Sequence, residues 1–133
     1  MRRVSVNIIG RDSSKTIGQC LKSFEGCHSW IFINYTDTGS KDNTINIVRR
    51  VCRQLGIPFS ITSYNWNDHF ADARNYNLKQ TPKECDFWMW VDSDDIVENS
   101  RAILDLVDKT DKRFGAIWLP YFYATDEYGN ATT

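Results

Sequence analysis

The chain has 133 residues, 41% of them hydrophobic and 25% charged, with a formal net charge of −1. That suffices for one domain with a real core but not comfortably for two, and it leaves no basic field to attract nucleic acid or an anionic membrane. No apolar run approaches the length of a membrane span and the N-terminus lacks a signal-type apolar stretch, so the expected location is cytoplasmic, at most at the inner face of a membrane through a region outside this sequence.

Val4 to Ile9 reads as a first strand, followed by a helix capped by Ser13 or Ser14, with Ile17, Leu21 and Phe24 at helical spacing and Gly26 as its stop. Trp30 to Tyr35 is a second strand. From Ser40 a longer helix carries Ile45, Val48, Cys52 and Leu55 on one stripe and closes at Gly56. Ile57 to Tyr64 is a third strand. A polar, aromatic loop follows, with Trp66 and Phe70 expected to anchor it to the core, and then a helix through Ala71 to Lys79. Phe87 to Val91 is a fourth strand. Its continuous apolar character predicts a central strand covered on both faces. Ile103, Leu106 and Val107 mark a short helix, and Trp118 to Tyr123 a fifth strand. The alternation predicts an α/β, Rossmann-like, mostly parallel sheet with helices on both faces, over residues 1–133 as a single domain. The turn at Tyr128 to Asn130 invites a returning strand that the sequence does not contain, so the domain is expected to be truncated.

Cys20, Cys27, Cys52 and Cys85 form no C-x-x-C pair and read as reduced thiols, Cys20 and Cys52 on apolar helix faces. Cys27 beside His28 completes no metal set. Of two glycosylation sequons, the one at Asn34 falls on a strand expected to be buried; the other is at Asn130.

In parallel sheets ligands bind beyond the carboxyl ends of the strands. Asp12, the acids from Asp37 to Asp42, and Asp92 to Asp95 all follow strand ends, and Arg74 and Asn75 open the helix after the third. If Asp92 and Asp94 leave their strand in extended conformation they point to one side, and adjacent carboxylates repel unless a cation joins them. Hard oxygen ligands suit Mg2+ or Mn2+, which favour one or two carboxylates plus phosphate oxygens. The bland alternative is a solvated turn in which Asp92 or Asp95 caps the next helix. Gly39 permits a tight turn, and Ser40 or Asp42 can cap the helix after it. His28 and His69 read as packed or surface side chains.

Three motifs taken together resemble the family-2 glycosyltransferases of the GT-A fold, which move a sugar from a nucleotide-diphosphate donor. They are Asp37-Thr38-Gly39-Ser40-Lys41-Asp42-Asn43-Thr44, then Trp66 and Phe70 ahead of Ala73-Arg74-Asn75, and Asp92-Ser93-Asp94-Asp95 after an aromatic strand, spanning about residues 4 to 123. The resemblance implies a nucleotide-sugar pocket formed by Asp12, Asp37, Gly39, Ser40, Arg74, Asp92 and Ser93, with metal at Asp92 and Asp94. It implies a UDP-sugar as the favoured donor, an acceptor whose identity the residues do not reveal, and a catalytic base beyond Thr133. Two departures stand out. Asp12-Ser13 replaces the Asn-Glu pair of many relatives, and His69 stands where an acid is common. A non-catalytic nucleotide-sugar-binding module is the alternative. A haloacid-dehalogenase-type phosphatase would place its D-x-D after the first strand, with Thr or Val where Ile96 stands, and a sugar nucleotidyltransferase would need a Gly-rich, Arg-containing loop where residues 10–14 run.

Overall fold

A computed structural model of the chain describes residues 2–110. Strands and helices alternate as β1 (Val4–Gly10), α1 (Ile17–Lys22), β2 (Ile31–Asp37), α2 (Thr44–Leu55), β3 (Phe59–Ser63), α3 (Phe70–Lys79), β4 (Phe87–Trp90) and α4 (Ala102–Lys109). The strands are all parallel, in the order β3-β2-β1-β4. This is the expected Rossmann-like α/β sheet. The expected fifth strand and the turn after it lie outside the described residues.

The register shows how the two faces of the sheet differ. Val6 is paired with Ile33 and Ile8 with Tyr35, and between them Asn7 is paired with Asn34. Side chains alternate across a strand, so the first two pairs share one face and the asparagines the other. Val4, Val6, Ile8, Ile31, Ile33 and Tyr35 join Ile17, Cys20 and Leu21 of α1, Val48, Val51 and Cys52 of α2, and Ile103 and Val107 of α4 in one buried cluster. The opposite face carries Ser5, Asn7, Asn34 and Thr36, all fully buried, and α3 lies against it through Asn77. The core is therefore one-sided: hydrocarbon packing on one face of the sheet, an amide network on the other.

Among the described strands β4 is at the edge of the sheet, with Trp88 45% exposed and its neighbours half-buried. Among the same described strands β1 and β2 are flanked on both sides, and they alternate because their second face is polar.

Element ends also differ from the expected ones. The β2 ladder runs on to Asp37, where it pairs with Gly10. The first helix begins at Ile17, and Ser13 serves it through its carbonyl, which accepts the amides of Thr16 and Ile17 at 3.1 and 2.9 Å. The second helix begins at Thr44 rather than Ser40: the Ser40 hydroxyl is spent on Asp37, while the Asp42 carboxylate accepts the Thr44 amide at 3.0 Å where the helix starts. Gly56 closes that helix in the left-handed conformation, φ 69°, as its position predicted. Trp66 and Phe70 do not anchor their loop to the core. They are 38% and 52% exposed and meet edge to face at 6.5 Å.

The cysteines are all free, and Cys20, Cys27 and Cys52 are buried. Burial pushes the thiol of Cys52 up to about 12, and burial together with the acids at 95, 94 and 92 does the same to Cys20, so neither is a nucleophile near neutrality. Asn34 is fully buried, which removes the first sequon from reach of modification.

Candidate functional site at the carboxyl rim

The chain steps from β1 to β2 to β3 in one direction and then returns to place β4 on the other side of β1. That reversal opens a crevice beyond the carboxyl ends of β1 and β4, the usual ligand position in such sheets. The residues singled out from the sequence gather along this rim.

At the end of β2, Asp37 is only 3% exposed. Its Oδ1 accepts the hydroxyls of Tyr35 at 2.8 Å and Ser40 at 2.6 Å, and its Oδ2 accepts the amides of Gly39 at 3.0 Å and Ser40 at 2.7 Å. Those four donors fill the usual capacity of a carboxylate. Burial pushes the Asp37 carboxyl up, but the Ser40, Tyr35 and Gly39 hydrogen bonds outweigh it and hold the group below the ordinary carboxylate range. Gly39, at φ 114°, makes the turn that brings its own amide and that of Ser40 back onto Asp37. Tyr35 reaches Asp37 by passing over Gly10, where a Cβ would lie 2.5 Å from the tyrosine hydroxyl. Glycine at the end of β1 is thus a condition of the hub on β2.

Ser40 also ties this loop to β1. Its hydroxyl accepts the Asp12 amide at 2.9 Å, and the Asp12 carboxylate accepts the Lys41 amide at 2.7 Å. Asp12 adopts φ 49°, a left-handed conformation that aspartate tolerates better than most residues. One residue on, the Ser13 amide donates to Thr44 at 2.8 Å and the Ser13 hydroxyl meets Ser93 at 2.8 Å. The last contact spans the crevice, so the rims of β1, β2 and β4 form one connected edge.

Beyond β4 the acids come together by a turn and not by extended alternation. The Asp95 amide donates to the Asp92 carbonyl at 3.0 Å and the Asp92 amide to the Asp95 carboxylate at 2.9 Å. This turn corrects the expected geometry, and it brings in Asp95 as a third acid. Carboxylate oxygens of Asp92, Asp94 and Asp95 lie within 4.8 Å of one another. The capping alternative fails on position, since the next helix begins at Ala102 without a side-chain cap. The exposed Asp94 makes no hydrogen bond or ion pair among the described residues. Asp92 pairs with Arg74 at 3.1 Å. That guanidinium lies 4.5 Å from the Trp90 ring centroid and 4.8 Å from that of Phe70, a sandwich that restricts a long side chain. His69 sits at the start of α3 without a side-chain cap bond, and His28 lines a shallow depression with Arg3 and Cys85 away from the rim residues.

Asp12, Asp37, Gly39 and Ser40 therefore make up one half of the rim and Arg74, Asp92, Ser93 and Asp94 the other, joined by the Ser13–Ser93 contact. Sequence reading missed Asp95 as a neighbour of the other two acids, Tyr35 as the support of Asp37, and the two rings that hold Arg74. Trp90 could have been found from its place two residues before Asp92. Tyr35 stands two residues before Asp37, so the same spacing on one strand face could have found it.

Residues 5–132 match the family described as Glycosyl transferase family 2. Among solved structures, S. aureus TarS residues 1–349 is similar at 24% identity with TM-score 0.68, covering 80% of this chain and 31% of that one. The same TarS fragment in complex with UDP is similar at 25% identity with TM-score 0.67 and the same coverage. A further S. aureus TarS structure is 25% identical with TM-score 0.68, over 80% of this chain and 20% of that one. This chain thus spans a third or less of the length of those proteins. No match is found among curated protein sequences.

Proposed function

Since the chain belongs to glycosyl transferase family 2, we propose that it is the donor-binding part of an enzyme that transfers a sugar from a nucleotide diphosphate, a UDP-sugar by preference, to an acceptor hydroxyl. The observation that carries this reading is the acid turn at the switch-point crevice. Three carboxylates lie within 4.8 Å beside an ordered arginine. The preference for UDP is supported by the TarS complex.

The donor set fits Mg2+ or Mn2+: hard oxygens only, two of the three acids exposed, with room left for phosphate oxygens. Asp94 and Asp92 would hold the ion, while Asp95 keeps one oxygen on the Asp92 amide. When bound, the cation neutralises charge gathering on the departing nucleoside diphosphate. Arg74 is held over Trp90 and Phe70 with further guanidinium N–H groups beyond the one bonded to Asp92, and these suit a phosphate oxygen. On the β2 side, Asp37 has no lone pair to spare, so its part is to shape the Gly39–Ser40 loop against which the nucleoside lies. Asp12 and Ser93 border that path from β1 and β4.

Titration calorimetry with UDP tests the reading. With manganese present we expect binding, and with a chelator a loss of at least about tenfold, because uncompensated acids repel a diphosphate. Equal affinity in both buffers would overturn the metal-bridged site.

A further inference from the structure

The helix that carries Arg74 is poorly provided with apolar grip. Within α3 only Ala73 and Asn77 are buried, and the sheet face beneath them is lined by Ser5, Asn7, Asn34 and Thr36. Tyr76 adds a ring contact to Tyr64 at 5.0 Å, but the contact that fixes the helix to the sheet is polar. The Asn77 amino group faces four acceptors: Thr36 Oγ1 at 2.9 Å, the Asn34 carbonyl at 3.2 Å, the Ile8 carbonyl at 3.3 Å and Asn34 Oδ1 at 3.5 Å. Two of these are main-chain oxygens of β1 and β2, so one side chain bonds to both central strands. In return Asn34 Nδ2 donates to the Asn77 carbonyl at 2.9 Å and to Asn7 Oδ1 at 3.1 Å. Asn77 Oδ1 is buried and accepts nothing among the described residues. The reverse amide orientation would set that oxygen against two carbonyls, so the arrangement has one sense only.

Apolar packing tolerates small slides and rotations of a helix, whereas directional hydrogen bonds weaken steeply away from their geometry. Arg74 lies one turn from Asn77, about 4.5 Å along the axis at the helical rise. Its salt bridge to Asp92 and its place between Trp90 and Phe70 depend on where α3 lies along the sheet. We infer that Asn77 is a positioning residue: its amide, locked onto β1 and β2 through Asn34 and Thr36, sets the place of α3 and hence holds Arg74 at the acid turn. In its bearing on donor affinity this inference rests on the proposed function, but its geometric part does not.

The test reads Arg74 directly. Lying over two aromatic rings, its Nε–H proton resonance should be displaced from those of the other arginines in the proton–nitrogen spectrum of the ligand-free chain. In Asn77→Ala it should move towards the common arginine position, and in Asn77→Ser, which keeps a short donor, it should move part of the way. Should Asn77→Ala fail to fold, Thr36→Val removes the nearest acceptor and should shift the resonance in the same direction. A folded variant with the wild-type Arg74 resonance overturns the inference, since a merely structural asparagine would lower stability and leave Arg74 in place. For UDP with manganese, Asn77→Ala should lose about tenfold in affinity, the scale of one charged hydrogen bond, and adding Arg74→Ala should cost little more. Additive losses would also overturn it. Absence of any UDP binding by the wild type would defeat the proposed function while the resonance still decided the role of Asn77.

Discussion

Replacing Asp94 with asparagine is expected to abolish metal-dependent nucleotide binding while leaving the fold as stable as before, or more so. Asp94 is exposed, makes no hydrogen bond or ion pair among the described residues, and lies with Asp92 and Asp95 inside 4.8 Å. Nothing in the fold leans on its charge. The substitution keeps shape and turn propensity and removes one of three crowded negative charges, so any stability change should be upward and within about 1 kcal/mol. Binding is another matter. Supporting residues around metal ligands are worth about 10- to 100-fold in affinity, so loss of a ligand itself should cost at least about 100-fold. Melting curves with and without manganese and UDP separate the two effects. A variant that retains the full ligand-induced rise in Tm would return Asp94 to the role of a solvated turn residue.

Asp37→Ala should have the opposite profile, with a large loss of stability. The substitution strips partners from the Tyr35 hydroxyl, the Gly39 amide and both the amide and hydroxyl of Ser40. An unsatisfied buried group costs about 1–3 kcal/mol, so the total should reach about 3 kcal/mol or more, a fall in Tm on the order of 10 °C. Nucleotide affinity should fall as well, even without metal, because the Gly39–Ser40 loop loses its frame. Acid titration gives an independent reading. Burial raises the Asp37 carboxyl but its hydrogen bonds win and hold it low, and the exposed Asp42, bonded foremost by the Thr44 hydroxyl, is lowered to about 2. A carboxyl whose folded value lies below its unfolded value of about 3.9 stabilises the fold above that pH, and the contribution disappears as pH falls through the folded value. Denaturation midpoints of the wild type should therefore drop steeply from about pH 4 towards 2. Those of Asp37→Ala should start lower and drop less. A mutant with wild-type stability and the same acid slope would show that Asp37 frames nothing.

The alternation of strands and helices was legible because apolar segments of strand and helix length follow one another with glycine and polar breaks between them. The rim was legible too, since in a parallel sheet every strand end is a candidate ligand position. Less legible was the polar face of the sheet. Among the described strands β1 and β2 are flanked on both sides, yet they carry buried asparagines at 7 and 34. What satisfies those asparagines is a partner on α3 that no local pattern announces, since residue 77 is 43 positions from 34. Helix starts were misplaced for a related reason. Ser40 is a good capping residue, but Asp37 and the Asp12 amide across the rim claimed its hydroxyl first, and Asp42 takes the Thr44 amide at the helix start instead. Local propensity cannot see a partner that only the fold supplies.

The Ser13–Ser93 contact closes a loop of 80 residues, and the backbone of Arg3 meets Asp86 across 83. Joining β1 to β4 thus requires everything between them to be roughly in place, and pairings this remote make folding slow. The crowding of Asp92, Asp94 and Asp95 against the rest of the rim is accordingly expected to come late, after a transition state formed on the nearer β1–β2 and β2–β3 pairs. Substitutions in the acid turn should then alter how fast the chain unfolds and leave the folding limb of a chevron plot where it was. A cation captured there would act as a latch, lengthening the lifetime of the native state without speeding its arrival.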